Sequence, residues 1–365
     1  MRSSFLRGLS YIAAFLGVMS VLGVLTFHFP EYLTTPRLRE VYDVTQVRLL
    51  LLLGLLASTL IGITALLFGG IKLYALLGMA CTLLAWIGGG PNVTIDGPVR
   101  TASFYISLDW VLLDLLLIAT LFISIERVSR LKEDQPILRS GWRVDLTHYV
   151  VNHLANGGLI YLITLPAYAT RDALDLTDIA QQMSSLPLLV QVFIIMAITD
   201  LTQYWVHRAS HRIPLLWRFH RIHHSVEVMD WLAGSRLHVI DILLTRSLSM
   251  IPMVLLGFSN EAINVYLPIL ALQSVFIHCN INYPLGDLRK ILATPQFHHW
   301  HHTRDLSYRD RNFSVTFPFW DILFGSYHCP KDQWPKNYGL EEGPIGEFYV
   351  THLVAPFHPL PDVRK

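Results

Sequence analysis

Charge is scarce in this chain of 365 residues: Asp, Glu, Lys and Arg make up 15% of it, against roughly a quarter in an ordinary soluble domain. With 28 basic and 27 acidic residues the formal net charge is +1, so there is no field to gather a polyanion, which argues against nucleic acid as a partner. Cysteine is scarcer still. Cys81, Cys279 and Cys329 stand far apart with no CxxC pair, which leaves no disulfide framework, zinc ribbon or cysteine-held iron–sulfur cluster. The chain also lacks a haem-attachment CxxCH, a glycine-rich dinucleotide fingerprint and any internal repeat. What it has is apolar sequence, with 52% hydrophobic residues and a mean hydropathy of +0.42. It also has histidine. Of 17, eleven fall between His207 and His302, a 96-residue window that an even spread would give four or five.

A hydrocarbon core about 30 Å thick needs roughly 20 apolar residues to span it. The first third of the chain supplies four such runs, Tyr11 to Phe29, Leu49 to Phe68, Leu73 to Gly89 and Phe104 to Ile125. The first ends in Phe27-His28-Phe29-Pro30 without a small-residue cleavage site, so it reads as a retained anchor. A fifth span, about Asp145 to Tyr168, is more polar and carries His148, Asn152, His153 and Asn156. Such groups face protein or a water-filled cavity, because lipid offers them no partner. A sixth runs from Leu186 to about Tyr204. The apolar stretch from Val239 to Ile277, 39 residues long, is broken by Pro252, Gly257, Asn260 and Pro268, which predicts a helical hairpin that enters and returns, making eight embedded segments. The loop Glu126 to Arg143 carries five Lys or Arg, and the loop Arg171 to Ser185 one Arg and three Asp. By the positive-inside rule the first is cytoplasmic and the second is not. The N-terminus, the histidine clusters and the C-terminus then lie on the cytoplasmic side.

Three histidine clusters stand out: His207 and His211, then His220, His223 and His224, then His298, His301 and His302. Residues three or four apart share a helix face, so each cluster aims two or three imidazoles at one point. Neutral imidazole is the commonest metal ligand, and eight of them exceed the needs of one ion, which predicts two. Single histidines near headgroups are unremarkable, but three ordered clusters in one window are not. The zinc-protease pattern needs Glu directly after the first histidine, and neither His207 nor His220 has it. Soluble di-iron bundles use Glu with Glu-x-x-His, and neither Glu227 nor Glu261 fits that offset.

The ordered set of HxxxH, HxxHH and HxxHH resembles the fatty acid hydroxylase/sterol desaturase superfamily, the integral membrane non-haem di-iron oxygenases. The resemblance covers roughly Gly141 to Tyr327. It assigns His207, His211, His220, His223, His224, His298, His301 and His302 as ligands and adds the isolated His278. His238-Val-Ile-Asp241 is similar to a His-Pro-x-Glu/Asp segment of sterol-acting members but lacks the Pro, which makes His238 a ligand or a neighbour of ligands. Trp320-Asp321-Ile-Leu-Phe-Gly325 is similar to a closing WDxxFG segment. Where relatives precede it with Asn-Tyr-Gly, this chain has Asn312-Phe313-Ser314. Asp200, Asp241 and Asp305 are candidates to accept an N–H from a ligand imidazole. His148 and His153, five apart, point to different faces of one helix and read as cavity-lining. His299 is out of phase with its neighbours and reads as a spacer.

The fold class expected is all-α: a polytopic helical membrane protein with a cytoplasmic helical cap that carries a histidine-rich di-metal site. Residues 1–140 form a four-helix transmembrane region, 141–330 the catalytic domain and 331–365 a cytoplasmic tail. The membrane is the inner membrane in a bacterium or the endoplasmic reticulum in a eukaryote. The resemblance implies two non-haem iron ions, O2 as co-substrate and oxidation of an unactivated C–H bond in a membrane lipid. Hydroxylation is favoured over desaturation because desaturation must also present a second C–H. The electrons must come from an external system, cytochrome b5-like or ferredoxin with its reductase. Arg208, Arg212, Arg218 and Arg221, interleaved with the ligands, suit either an acidic donor or lipid phosphate. Two rivals from other classes are a membrane metal-binding or transport protein, whose site would lie near the midplane, and a bis-histidine haem protein.

Overall fold

The computed structural model describes residues 2–95, 99, 102, 105–283 and 286–359. Phe104, where the fourth apolar run was expected to begin, and the tail beyond 359 lie outside the described residues, as does the side chain of Asn156. Among the described residues the regular structure is helix, with two isolated β-bridges and no strand. The long helices are α1 (Arg2–His28), α2 (Val44–Phe68), α3 (Lys72–Ile87), α4 (Leu108–Val128), α5 (Trp142–Ala173), then, after the nine-residue α6 (Thr177–Ser185), α7 (Leu188–Arg212). They are followed by α8 (Pro214–His224), the hairpin pair α9 (Val239–Leu256) and α10 (Asn260–Phe276), and four short helices, α11 (Pro295–His301), α12 (Leu306–Arg309), α13 (Phe319–Leu323) and α14 (Tyr349–Val354).

Local chemistry sets these boundaries. Asp43 caps α2 by accepting from the Thr45 amide at 2.9 Å, and Gly69 ends it at φ 93°, a conformation that costs glycine nothing. Ser259 caps α10, and Gly257 at φ 68° turns the hairpin. Pro214 separates α7 from α8, since the residue before a proline leaves the helical region and Ile213 is extended.

Among the described residues, six helices are long and apolar enough to cross a membrane: Leu6–His28, Val44–Phe68, Lys72–Asn92, Leu108–Val128, Leu188–Arg212 and Val239–Leu256. The chain is an integral membrane protein. The other two expected segments are helices that do not meet that measure. In α5, Asp145, His148, Asn152 and His153 dilute the apolar character. With 17 residues, α10 is about 25 Å long, short of a full crossing.

Packing divides the chain into Met1–Leu113 and Asp114–Lys365. In the first unit α1 packs on α2 and α3 through small residues. A Cβ on Gly78 would lie 2.4 Å from the Ala13 carbonyl oxygen, so the two backbones touch as membrane helices do where side chains are small. In the second unit α7 packs on α8, α9 and α10, and α9 also packs on α5. Val192 and Ile195 of α7 meet Met253, Phe258, Ala262 and Tyr266 of the hairpin. A buried ion network ties the entry of α5 to the loop after α8: Arg139 pairs with Asp145 at 2.5 Å and Asp230 at 2.7 Å, and Arg236 pairs with Asp145 at 2.5 Å. Breaking one partner of such a network strands a buried charge.

Candidate metal centre

The last two turns of α7 carry His207 and His211, four residues apart, and α8 carries His220, His223 and His224. His278 follows α10 directly. On α11, Thr294 accepts from the Phe297 amide at 3.3 Å and Pro295 opens the helix, so His298, His301 and the C-cap His302 leave one face. All nine are buried, between 0 and 8% exposed. They divide into two sets, His207, His211, His220, His224 and His301 in one, and His223, His278, His298 and His302 in the other, with the ligand nitrogens of each set within 4.8 Å of one another.

Hydrogen bonds behind the rings orient them. His207 donates Nδ1–H to the Phe313 carbonyl at 2.7 Å, His211 to Asp310 at 3.1 Å, His220 to Asp241 at 2.9 Å and His301 to the Arg311 carbonyl at 2.7 Å. In the four-histidine set His223 donates to the Arg236 carbonyl at 3.3 Å and His278 to that of Ser274 at 2.7 Å. A proton held at Nδ1 leaves the Nε2 lone pair free. Burial, reinforced by neighbouring histidines, holds His223, His224, His298 and His302 well below the usual imidazole range, and burial takes His278 down to about 4 and His301 to about 3. These rings are neutral at pH 7, the form that binds metal.

The residues fit a pair of metal ions. In the five-histidine set every Nε2 is buried without a hydrogen-bond partner among the described residues, an arrangement that is costly unless a cation draws on those lone pairs. In the four-histidine set the Nε2 atoms of His223 and His278, both lone-pair carriers, face each other at 3.3 Å, and His298 Nε2 stands 3.1 Å from those of His278 and His302. Nitrogens held about 2.0–2.1 Å from a tetrahedral ion are about 3.3–3.4 Å apart. An all-imidazole donor set suits iron, zinc, copper or nickel, and five nitrogens at one point exceed the four of tetrahedral zinc.

The remaining sequence candidates sit elsewhere. His238 is in neither set: its Nε2 donates to the Leu353 carbonyl at 3.2 Å and its Nδ1 caps α9 by accepting from Ile240. Asp241 meets His220. Asp200 meets no imidazole, because seven residues before His207 is two turns down the helix. It accepts instead from the amides of Val315, Thr316 and Phe317. Asp305 caps α12 by accepting from Ser307. His148 lies between the Leu237 carbonyl and His352, and His153 between the Tyr149 carbonyl and Asp114. His299 donates towards Tyr338 or the His278 carbonyl, away from both sets.

Sequence reasoning singled out the segment that supports the five-histidine set only as a motif, without a role, and it missed Asp310. Asp310 had no spacing signal, being one charge in a run of several. Asn312 adopts φ 58°, a region asparagine tolerates better than most residues, and its side chain bridges the carbonyls of Phe297 and His328. Asp321 accepts from the amides of Phe313 and Ser314 at 2.7 and 2.9 Å and from both Ser314 and Ser326 hydroxyls. The Asn312-Phe313-Ser314 and Trp320-Asp321 segments are thus locked together, and their backbone presents carbonyls to the ligands. Their resemblance to family motifs marked both segments in the sequence, but not that they brace the ligands.

Comparison with known proteins gives the same picture. Residues 192–326 match the fatty acid hydroxylase family, a stretch that takes in all nine histidines and excludes α1 to α6. The chain is 32% identical to ornithine lipid hydroxylase OlsE of Rhizobium tropici over 47% of this chain and 51% of that protein. It is 29% identical to human alkylglycerol monooxygenase over 44% of this chain and 33% of that one, and 25% identical to the very-long-chain aldehyde decarbonylase GL1-7 of Oryza sativa over 47% and 29%. The chain therefore spans about half the length of the first relative and about a third of the others. No solved structure matches. The histidine sets, the closing motifs and the matches to these relatives all fall in one segment, and that segment is similar to the fatty acid hydroxylase family.

Proposed function

We propose that this protein hydroxylates an unactivated C–H bond of a membrane lipid, using O2 and two iron ions held by the nine histidines. The observation that carries the reading is the division of nine buried imidazoles into a group of five and a group of four. His207, His211, His220, His224 and His301 hold one ion and His223, His278, His298 and His302 the other. Bound iron supplies the oxygen chemistry that no side chain can perform. The chain's own share is to bury the nine rings, to fix six of them through their Nδ1 acceptors and to exclude water around the site. The names of the relatives support a lipid substrate, and two of the three name oxygen insertion. The basic loop between Glu126 and Arg143 supports a cytoplasmic site, with a membrane lipid reaching it from the bilayer and electrons reaching it from an external carrier.

The test is metal analysis joined to oxygen labelling. Protein purified with iron under reducing conditions should hold close to two ions per chain, and incubation with a lipid extract under labelled O2 should yield a product heavier by one labelled oxygen atom. An unlabelled product lighter by two hydrogens would show desaturation, and a protein that retains no metal would overturn the reading.

A further inference from the structure

The five-histidine set has a solvent-facing back wall, and that wall is basic. The segment 310–313 accepts from three of its five ligands: Asp310 from His211 at 3.1 Å, the Arg311 carbonyl from His301 at 2.7 Å and the Phe313 carbonyl from His207 at 2.7 Å. Its other side lines an open groove of about 280 Å3, completed by Arg208, Arg212, Ser307, Gly325 and Ser326. Three guanidinium groups face this groove against one carboxylate. Arg208 spends hydrogen bonds on the Tyr204 hydroxyl and the Phe324 carbonyl, and Arg311 on the Gly325 carbonyl. None of the three arginines is ion-paired among the described residues. Arg212 and Arg311 are exposed. Asp310 is committed to His211, and the link passes from a ring with no exposed side-chain surface to a carboxylate 35% exposed.

Resting on the reading above, we infer that this groove is where an electron-carrying protein with an acidic face docks, and that electrons enter the five-histidine centre through Asp310 and His211. Hydroxylation needs a reductant: RH, O2, two electrons and two protons give ROH and water. The carrier is a one-electron protein, oxidised once per delivery and visiting twice per turnover. A basic groove speeds the encounter with an acidic surface, and the wall between the groove and the ligands is one residue thick. On the opposite count, the four-histidine set offers no such wall, since its Nδ1 acceptors, Arg236 and Ser274, belong to the buried ion network and to α10.

Small reductants of opposite charge test the inference without the natural carrier. The iron-loaded protein is oxidised, and its reduction is followed by loss of the ferric absorbance and electron paramagnetic resonance signals, with either the sulfur dioxide radical anion from dithionite or the methyl viologen radical cation. In the parent protein the anion should react faster as salt is lowered. In R212E/R311E the anion rate should fall about tenfold, lose its salt dependence and leave the cation favoured, while R212K/R311K should behave as the parent. Reduction rates that ignore the charge reversal would overturn the port. So would unchanged reduction in a variant that, reconstituted in mixed-lipid nanodiscs, has lost the parent's preferential retention of phosphatidylglycerol over phosphatidylcholine, which would make the arginines a lipid-phosphate site. A preparation without iron would instead defeat the functional reading itself, and iron content is measured first for that reason.

Discussion

The two histidine sets use the same side chain and differ in what stands behind it. In the five-histidine set the Nδ1 acceptors include two carboxylates, Asp241 and Asp310, and two carbonyls of a segment pinned by Asn312 and Asp321. In the four-histidine set both acceptors are carbonyls, one of them at 3.3 Å, and the Nδ1 atoms of His298 and His302 are buried without a hydrogen-bond partner among the described residues. A carboxylate behind an imidazole raises its basicity as well as fixing its orientation. The difference teaches that ligand count alone does not describe a centre: the first set is the better braced to hold an ion, and the second relies on mutual proximity of its rings. The ion in the four-histidine set is accordingly expected to be the more easily lost.

Removing one ligand from each set gives the largest effect and the most direct break of this comparison. H301A should lower the iron content from two ions towards one and abolish oxygen insertion, and H278A should do the same through the other ion. The double variant should bind close to none. Stoichiometry by elemental analysis, with Mössbauer spectra to tell the remaining ion's site, checks it. Retention of both ions in the double variant would contradict the division into sets.

Acidification comes next. Seven histidines outside the spans, His223, His224, His278, His298, His299, His301 and His302, have folded values below the ordinary imidazole range, with His299 brought by burial to about 3. Unfolded histidine titrates near 6.5, so below that pH the unfolded chain binds more protons than the folded one, and stability falls as pH falls. The contribution is fully present above about pH 7.5. At pH 6.5 each ring has lost about 0.4 kcal/mol, which summed over independent rings is about 3 kcal/mol. The melting temperature of the metal-free protein should therefore drop between pH 7.5 and 6, and the drop should be smaller with iron bound, because an ion that binds neutral imidazole holds off the proton. A melting temperature that is flat across this range would show that the rings are already relaxed to solvent.

How much of this was legible beforehand follows from what each residue's neighbours are. The helices announced themselves by apolar runs, and the hairpin by Pro252, Gly257 and Asn260, because those signals are local. Eight of the histidines were legible because their spacing is helical within each cluster, and His278 only through the resemblance. Their division into five and four was not, since it depends on where α11 and the turn after α10 sit against α8, and His223 and His224, adjacent in sequence, go to different sets. Asp241 was found because it lies 21 residues from its histidine in a motif that resembles the family's. Asp310 lies 99 residues from His211, and no local pattern links them. Asp200 was singled out for a nearby histidine, but its partners are backbone amides more than a hundred residues on.

The smallest of these effects sharpens the comparison most, because it leaves every ligand in place. D241A removes the acceptor from His220 and D310A the one from His211, each among the five-histidine set. Loss of such an acceptor lowers metal affinity by about 10–100-fold. The ring is then free to change tautomer, and its Nε2 is a weaker donor. If the two sets are independent, competition with a chelator should show one ion leaving earlier in either variant while the other keeps its parent affinity, and the early ion should be the one that H301A also removes. D241N keeps an acceptor oxygen without the charge and should fall between the parent and D241A, which separates the part played by orientation from the part played by charge. Should both ions loosen together in D241A, the nine histidines act as one coupled unit through His220, whose ring centroid lies 5.6 Å from that of His223 in the other set, and the division would describe geometry rather than affinity.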